Sequence, residues 1–196
     1  MVTFKNCLKG ASAAVAAALL SAALLVSAAP AEAQALGFMT ETSQYAEEIK
    51  DYVADVAEKA TERAEKKAAA KKAKAQKKAD RKAVVAEALK HQGVPYVYGG
   101  TTPSGFDCSG FTRWVYEHAL GRSLPRTAAE QSALGTSVSM DSLVAGDLLF
   151  WGSGSGVYHV GIYVGDGEYI HASTGSGQVK RSNFDYHAPS FAKRLI

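Results

Sequence analysis

The stretch Phe106-Asp107-Cys108-Ser109-Gly110-Phe111 places a cysteine where a helix is predicted to begin. Asp107 is a residue type that caps helices, the apolar residues after it recur at helical spacing as far as Leu120, and Gly121 predicts the end. The helix dipole and the unpaired N–H groups at such a start favour a thiolate over a thiol. Cys108 is therefore a candidate reactive side chain, and a buried structural thiol is the alternative.

The second cysteine of the chain, Cys7, lies in a segment that has the pattern of an export signal. Residues 1–33 combine a basic start, a run rich in Ala, Leu and Val, and an A-x-A pattern, which predicts a cut before Gln34. An uncleaved membrane anchor is the alternative, since the run approaches spanning length. We expect no other membrane span. Exported proteins use cysteines in pairs, so an unpaired Cys108 indicates a reactive thiol or an intermolecular bridge.

Charge is distributed unevenly along the rest of the chain. Residues 40–59 carry six acidic residues and two lysines, whereas residues 61–82 carry ten Lys or Arg residues and three acidic ones. Residues 83–196 are near neutral, with eight basic and nine acidic residues. This near-neutral region lacks the basic surface that nucleic-acid binding requires, so we expect no nucleic-acid partner.

Residues 34–82 are predicted to form a helical extension, because Ala, Lys and Glu dominate and residues 40–82 contain neither Gly nor Pro. The expected role is that of a spacer between the export signal and the domain. A basic strip that binds anionic wall polymers is one alternative. Transient cover over the active site is another, and it is suggested by the apolar stripe Tyr45, Ile49, Tyr52 and Val56.

Residues 83–196 are predicted to form one α+β domain. The predicted helices span residues 83–91, 109–120 and 128–134. The last of them begins at a capping box formed by Thr127 and Glu130. A loop rich in Gly and Pro is expected over residues 94–106. The predicted strands span residues 147–151, 159–164 and 168–172. Helices followed by strands, without alternation, indicate a helix packed on an antiparallel sheet.

Two histidines, His159 and His171, lie on neighbouring predicted strands joined by Gly165-Asp166-Gly167. A two-residue turn would place them on opposite faces of the sheet. A three-residue loop would make them diagonal neighbours on one face, roughly 7–8 Å apart at Cα. If the two histidines cooperate, we expect the odd-length loop or a bulge.

These residue types fit nucleophilic attack on an amide. A thiolate at Cys108 would attack, His159 would act as the base, and His171 would orient the ring of His159. The Cys108 backbone N–H is a candidate oxyanion donor. A zinc site made of the same three residues is the alternative, but no H-E-x-x-H or C-x-x-C spacing is present, so we expect neither metal nor cofactor. The remaining histidines have no partner in the pattern: His91, His118 and His187.

Six blocks of the domain resemble, in the same order, the motifs of the NlpC/P60 family of cysteine endopeptidases. They are Pro95-Tyr96-Val97-Tyr98-Gly99-Gly100, Phe106 to Phe111, Leu124 to Thr127, Ala145 to Trp151, His159 to Tyr163, and Tyr169 to Ala172. Together they cover about residues 83–196. The resemblance implies a papain-like fold whose nucleophile lies at a helix start against an antiparallel sheet. It also implies Cys108 as nucleophile, His159 as base and His171 as orienting residue.

The resemblance further implies roles for three neighbours of Cys108. The hydroxyl of Tyr96 would support the oxyanion or bind substrate, and Asp107 and Ser109 would help to hold the substrate peptide. For Tyr96 and Ser109 the alternative is structural, as a packed aromatic ring and an early helix residue. We expect Arg126 and Asp147 to be structural.

The resemblance implies a secreted enzyme that acts in the cell wall or in a periplasm-like space. Its partners would be peptidoglycan stem peptides, cut most often between D-γ-glutamyl and meso-diaminopimelate (or Lys). An N-acetylmuramoyl-L-alanine amidase on a similar scaffold is one alternative. A non-catalytic wall-binding protein is another.

Overall fold

The computed structural model describes residues 31–196, with side chains from residue 45 onward. The first element is the long helix α1 (Ala31–Leu89). We expected a separate helix to start at Ala83, and this was wrong: α1 passes through residue 82 without a break. From residue 38 to residue 92 the sequence has no Gly or Pro, so nothing interrupts the helix. The predicted signal segment, residues 1–33, lies outside the described residues except for its last three.

The chain divides into two compact units, one up to Glu65 and the other from Lys66 to Ile196. In the first unit, the predicted apolar stripe is between 44% and 53% exposed at its four positions, Tyr45, Ile49, Tyr52 and Val56. Its ion pairs between neighbouring turns are exposed and contribute little to stability. Among residues 31–196, no helix has the length and apolar content that a membrane crossing requires.

The second unit contains two further α-helices, two short 3-10 helices (Met140–Ser142 and Gly154–Gly156) and eight strands. The helices are α2 (Cys108–Leu120) and α3 (Ala128–Ser132). A small hairpin joins β1 (Thr101–Thr102) and β2 (Gly105–Phe106). The main sheet comprises β3 (Thr136–Val138), β4 (Leu148–Trp151), β5 (His159–Gly165), β6 (Glu168–Ser173), β7 (Gln178–Asn183) and β8 (Phe191–Arg194). It is antiparallel, in the order β3-β8-β4-β5-β6-β7.

The ends of α2 confirm the local sequence signals. The Asp107 carboxylate accepts a hydrogen bond from the Gly110 N–H at 2.7 Å, as an N-cap does. Gly121 ends the helix in the left-handed region, with φ of 65°. The Thr127–Glu130 capping box of α3 is present in both directions. Helix α3 ends at Ser132, two residues before the predicted end.

Only part of the sheet was predicted from the sequence. The three apolar strands are present as β4, β5 and β6, but β3, β7 and β8 were missed. The hairpin β1–β2 was also missed, since its residues were assigned to a loop. The missed strands are short or polar and have no clear alternation of apolar residues, so hydrogen bonds to neighbouring strands define them. Helix α2 packs on β5 and β6. The expected α+β, papain-like arrangement of a helix on an antiparallel sheet is confirmed.

The core lies between α2, the end of α1 and one face of the sheet. Val84 and Ala88 of α1 are fully buried there, together with Phe111 of α2 and Val160 and Ile170 of the sheet. A second apolar cluster, on alternate strand positions, contains Leu149, Trp151, Tyr169 and Ala192. Because side chains alternate along a strand, His159 and His171 lie on the same face of the sheet as this second cluster.

The hairpin between β5 and β6 confirms the predicted irregularity. Ile162 lies opposite Ile170, but Gly165 lies opposite Glu168, so the register shifts by one residue at the turn end. Continuing the inner register places residue 161 opposite His171 and makes His159 its diagonal neighbour. The bulge, combined with a two-residue turn, thus puts both histidines on one face.

Candidate active site

Cys108 is the first residue of α2 and lies beside the start of β5. Its sulfur lies close to the backbone N–H groups of Val160, Ser109 and Cys108 itself. Burial raises the pKa of the Cys108 thiol, and the Asp107 charge raises it too, whereas these N–H groups lower it; the net direction is upward. The expectation that the helix start lowers this pKa was therefore wrong for the free protein, because desolvation outweighs the amide dipoles.

His159 and His171 are joined directly. His159 Nε2 and His171 Nδ1 form a hydrogen bond of 2.7 Å, and the two rings meet edge to face. Burial lowers the pKa of His159 to about 4, and the charge of His187 adds to this. Burial, then the charges of His159, Lys180 and His187, lower the pKa of His171 to about 3. Both rings are therefore neutral near pH 7.

A cleft of about 390 Å³ opens over these groups. Its volume lies within the range of small-molecule and peptide subsites. Cys108, His159 and His171 line it together, as does Tyr96, so the structure brings four of the six predicted site residues to one surface. The other cleft residues are Tyr158, Tyr169, Ser173, Thr174, Gly175, Ser182, Tyr186 and His187. The roles assigned to the four predicted residues stay predictions.

Asp107 and Ser109 are not among the cleft-lining residues. Both are buried, at 8% and 5% exposed, and their polar atoms bond to protein groups. Arg126 donates to both oxygens of Asp107 and, at 3.0 Å, to Ser109 Oγ. The Gly99 N–H also donates to Asp107. These bonds fix the start of α2, and the substrate-holding role of the two residues stays a prediction.

Tyr96 is held in place through its backbone. Its N–H donates to the Gly177 carbonyl at 2.8 Å, and it forms a parallel bridge with Phe106. Burial raises the pKa of the Tyr96 hydroxyl, and the charges of Cys108 and Asp107 raise it further. The hydroxyl is therefore protonated near pH 7 and can donate a hydrogen bond into the cleft.

The structure adds cleft residues that sequence analysis missed. The His187 ring stacks on Trp151 with centroids 5.4 Å apart, and the Tyr158 hydroxyl lies 3.5 Å from His187 Nε2. Ser182 Oγ lies 3.1 Å from His171 Nε2. No signal in the sequence marked His187, which lies in the loop between β7 and β8. Ser182 could have been found only by recognising β7, whose polar sequence hides the strand.

The alternative zinc site has no geometric support. Within the described part of the chain, no group of three or more His, Cys, Asp and Glu side chains is arranged to hold a metal ion.

Comparisons with known proteins agree with this geometry. The chain is 51% identical over 110 residues to Protein P54 of Enterococcus faecium, covering 56% of this chain and 21% of that protein. It is 48% identical over 93 residues to the gamma-DL-glutamyl hydrolase of Bacillus subtilis, covering 46% of this chain and 22% of that protein. The chain thus spans about a fifth of the length of these two relatives.

A solved structure gives the same result at the level of the domain. The NlpC/p60 domain of the peptidoglycan hydrolase SagA superposes with a TM-score of 0.57 at 50% identity, covering 59% of this chain and 98% of that domain. Residues 93–195, more than half of the chain, match the NlpC/P60 family model. The resemblance inferred from the motif blocks is thereby confirmed, and the chain belongs to the NlpC/P60 family of cysteine peptidases.

Proposed function

We propose that this protein is an exported peptidoglycan hydrolase that cleaves stem peptides by thiol attack, at the bond between D-γ-glutamyl and the diamino acid. The observation that carries the proposal is that Cys108 and the bonded pair His159–His171 line one open cleft. A nucleophile, a base and an orienting group are thus available to the same bound peptide.

The first step couples proton transfer to attack. Because Nε2 of His159 is engaged by His171, Nδ1 is the ring nitrogen available for the Cys108 proton. The raised thiol pKa and the lowered imidazole pKa favour a neutral pair in the free protein. His159 therefore takes the proton as the sulfur bonds to the substrate carbonyl carbon, and the carbonyl oxygen becomes an oxyanion.

The oxyanion is stabilised by preorganised donors. The backbone N–H groups of Cys108 and Ser109 lie close to the sulfur, and Tyr96 lines the same cleft. As the tetrahedral intermediate collapses, the carbon–nitrogen bond breaks and the leaving amine takes the proton from His159. Water, deprotonated by His159, then hydrolyses the thioester and restores the Cys108 thiol.

The choice of bond rests on the relatives and on the charge of the cleft. One relative is named gamma-DL-glutamyl hydrolase, and the SagA domain belongs to a peptidoglycan hydrolase. Among the described residues that line the cleft, none is Asp or Glu, and Lys180 lies close enough to affect the His171 ring. Such a surface suits a stem peptide that carries free carboxylates.

Digestion of purified muropeptides by the protein and by a Cys108→Ala variant, analysed by mass spectrometry, tests the proposal. Scission between D-glutamate and the diamino acid, absent in the variant, is the expected result. Release of an intact stem peptide from muramic acid would instead identify an amidase. Absence of products from either protein, together with equal binding of both to purified wall, would identify a wall-binding protein.

We also propose the domain organisation 1–33 signal peptide, 34–82 extension and 83–196 catalytic domain. The export pattern, the basic segment and the match over residues 93–195 support it.

Mass spectrometry of the exported protein should give Gln34 as its first residue. Binding to wall stripped of anionic polymers should fall if residues 61–82 contact those polymers. Turnover with and without residues 34–82 tests the cover hypothesis, since equal rates would remove it.

A further inference from the structure

A neutral histidine has two tautomers, and only one of them suits the proposed base. To take the Cys108 proton, His159 must carry its lone pair on Nδ1 and its own proton on Nε2. The bond to His171 alone does not choose between them, because either ring can donate across the 2.7 Å separation. A group on the other side of His171 must decide which of the two rings donates this hydrogen bond.

Ser182 is the residue that continues the chain of hydrogen bonds. In the register of β6 and β7, it lies opposite Tyr169 and is the diagonal neighbour of His171. Its Oγ lies 3.1 Å from His171 Nε2, and Ser182 lies close enough to the Tyr169 hydroxyl to lower the pKa of that group. Ser182 therefore contacts the outer nitrogen of the orienting histidine and one further hydroxyl.

The Tyr169 hydroxyl, at the end of this chain of hydrogen bonds, sets the direction in which each group donates. The Tyr169 hydroxyl donates to the backbone carbonyl of His187, with the two oxygens 3.4 Å apart. A carbonyl only accepts, so the Tyr169 proton points outward and its oxygen can accept the Ser182 proton. Ser182 Oγ is then left with lone pairs facing His171 Nε2. His171 consequently donates from Nε2 and accepts at Nδ1, which makes His159 Nε2 the donor.

We propose that Ser182 is a positioning residue that selects, through His171, the His159 tautomer with a lone pair on Nδ1. This inference rests on the proposed function, in which His159 takes the Cys108 proton. Tyr169 supports Ser182 by accepting its proton. Ser182 contacts neither the thiol nor its proton, so its effect passes entirely through the two imidazoles.

Kinetics of three full-length variants on a muropeptide substrate provide the first test. Ser182→Ala should lower kcat about tenfold, which is part of the rate enhancement that a general base supplies. KM should stay within about twofold of the wild-type value. Ser182→Thr keeps the hydroxyl and should restore most of the rate. Ser137→Ala makes the same change in strand β3, outside the cleft, and should leave kcat unchanged. Unchanged kcat in Ser182→Ala, with an active wild type, would overturn the proposal.

Nitrogen-15 NMR of the imidazoles provides a second test that needs no turnover. At pH 7 the wild type should show His159 protonated at Nε2 alone, whereas Ser182→Ala should show a mixture of tautomers. A loss of packing alone would not exchange the tautomers. Identical His159 spectra in both proteins would overturn the inference even if activity fell. If the wild type cleaves no muropeptide, the proposed function fails, and the spectra still decide whether Ser182 sets the tautomer.

Discussion

The guanidinium of Arg126 donates hydrogen bonds to both carboxylate oxygens of Asp107 at the first turn of α2. The same carboxylate accepts the Gly110 N–H, so one buried group caps the helix and receives the arginine. Burial raises the pKa of Asp107, but these bonds lower it by more. The pKa therefore lies below its ordinary value. Arg126 is thus structural, as expected, and it bonds to the two residues that flank Cys108, Asp107 and Ser109.

Arg126→Ala should lower the free energy of unfolding by about 2 kcal/mol, because it leaves a buried charged acceptor without its partner. Arg181→Ala is the matched control. Its partner, Glu168, is exposed on the sheet, so the loss should stay below about 0.5 kcal/mol. Urea unfolding at pH 7 measures both. Equal losses in the two variants would show that the Asp107 pair is no more than a surface ion pair.

Gly110→Ala should prevent correct packing of α2. A Cβ at this position would lie 2.1 Å from the backbone carbonyl oxygen of Gly100, which cannot move aside as a side chain would. We expect a loss of stability of about 3 kcal/mol and loss of muropeptide cleavage. Gly156→Ala is the control, since its Cβ would meet nothing within 4 Å. Thermal unfolding of both variants checks the prediction, and wild-type stability in Gly110→Ala would contradict it.

Alkylation of Cys108 should report a neutral thiol in the free protein. Because burial raises its pKa, the rate with iodoacetamide should be low at pH 6 and still rise above the ordinary thiol value of about 8.5. Exposed thiols of a model peptide give the reference curve. The sequence-based expectation that the helix start favours a thiolate predicts the opposite, a rate that persists well below that value. A plateau between pH 5 and pH 8 would therefore support the thiolate.

Stability should fall in mild acid because of the two buried histidines. Their pKa values, about 4 and about 3, lie below the ordinary 6.5, so the unfolded chain binds protons that the folded chain excludes. Stability is therefore complete above about pH 6.5 and is lost as the pH falls toward those values. From pH 7 to pH 5 the loss should be about 2 kcal/mol for each histidine.

Urea unfolding at the two pH values measures this loss. His171→Gln should reduce it, whereas His118→Gln, on the exposed side of α2, should not. A pH dependence that is the same in wild type and His171→Gln would contradict the prediction.

The sequence by itself determined the elements whose signals are local. Asp107 and Gly121 bounded α2, Thr127 and Glu130 began α3, and apolar runs marked β4 to β6. It also required a bulge or odd loop for His159 and His171 to meet, because strand alternation leaves no other way. The order of helices and strands indicated the α+β arrangement, and the motif blocks, which occur in the family's order, led to the family.

Only the tertiary structure decided the rest, because those features depend on what distant segments bring together. Polar β7 is a strand because β6 offers it hydrogen bonds, and that pairing carries Ser182 to His171. The direction of the Cys108 pKa shift depends on how far the folded chain buries the thiol, which a helix-start argument cannot include. Likewise Asp107 bonds to Arg126 instead of lining the cleft, since the chain after α2 returns to the helix start and satisfies its carboxylate.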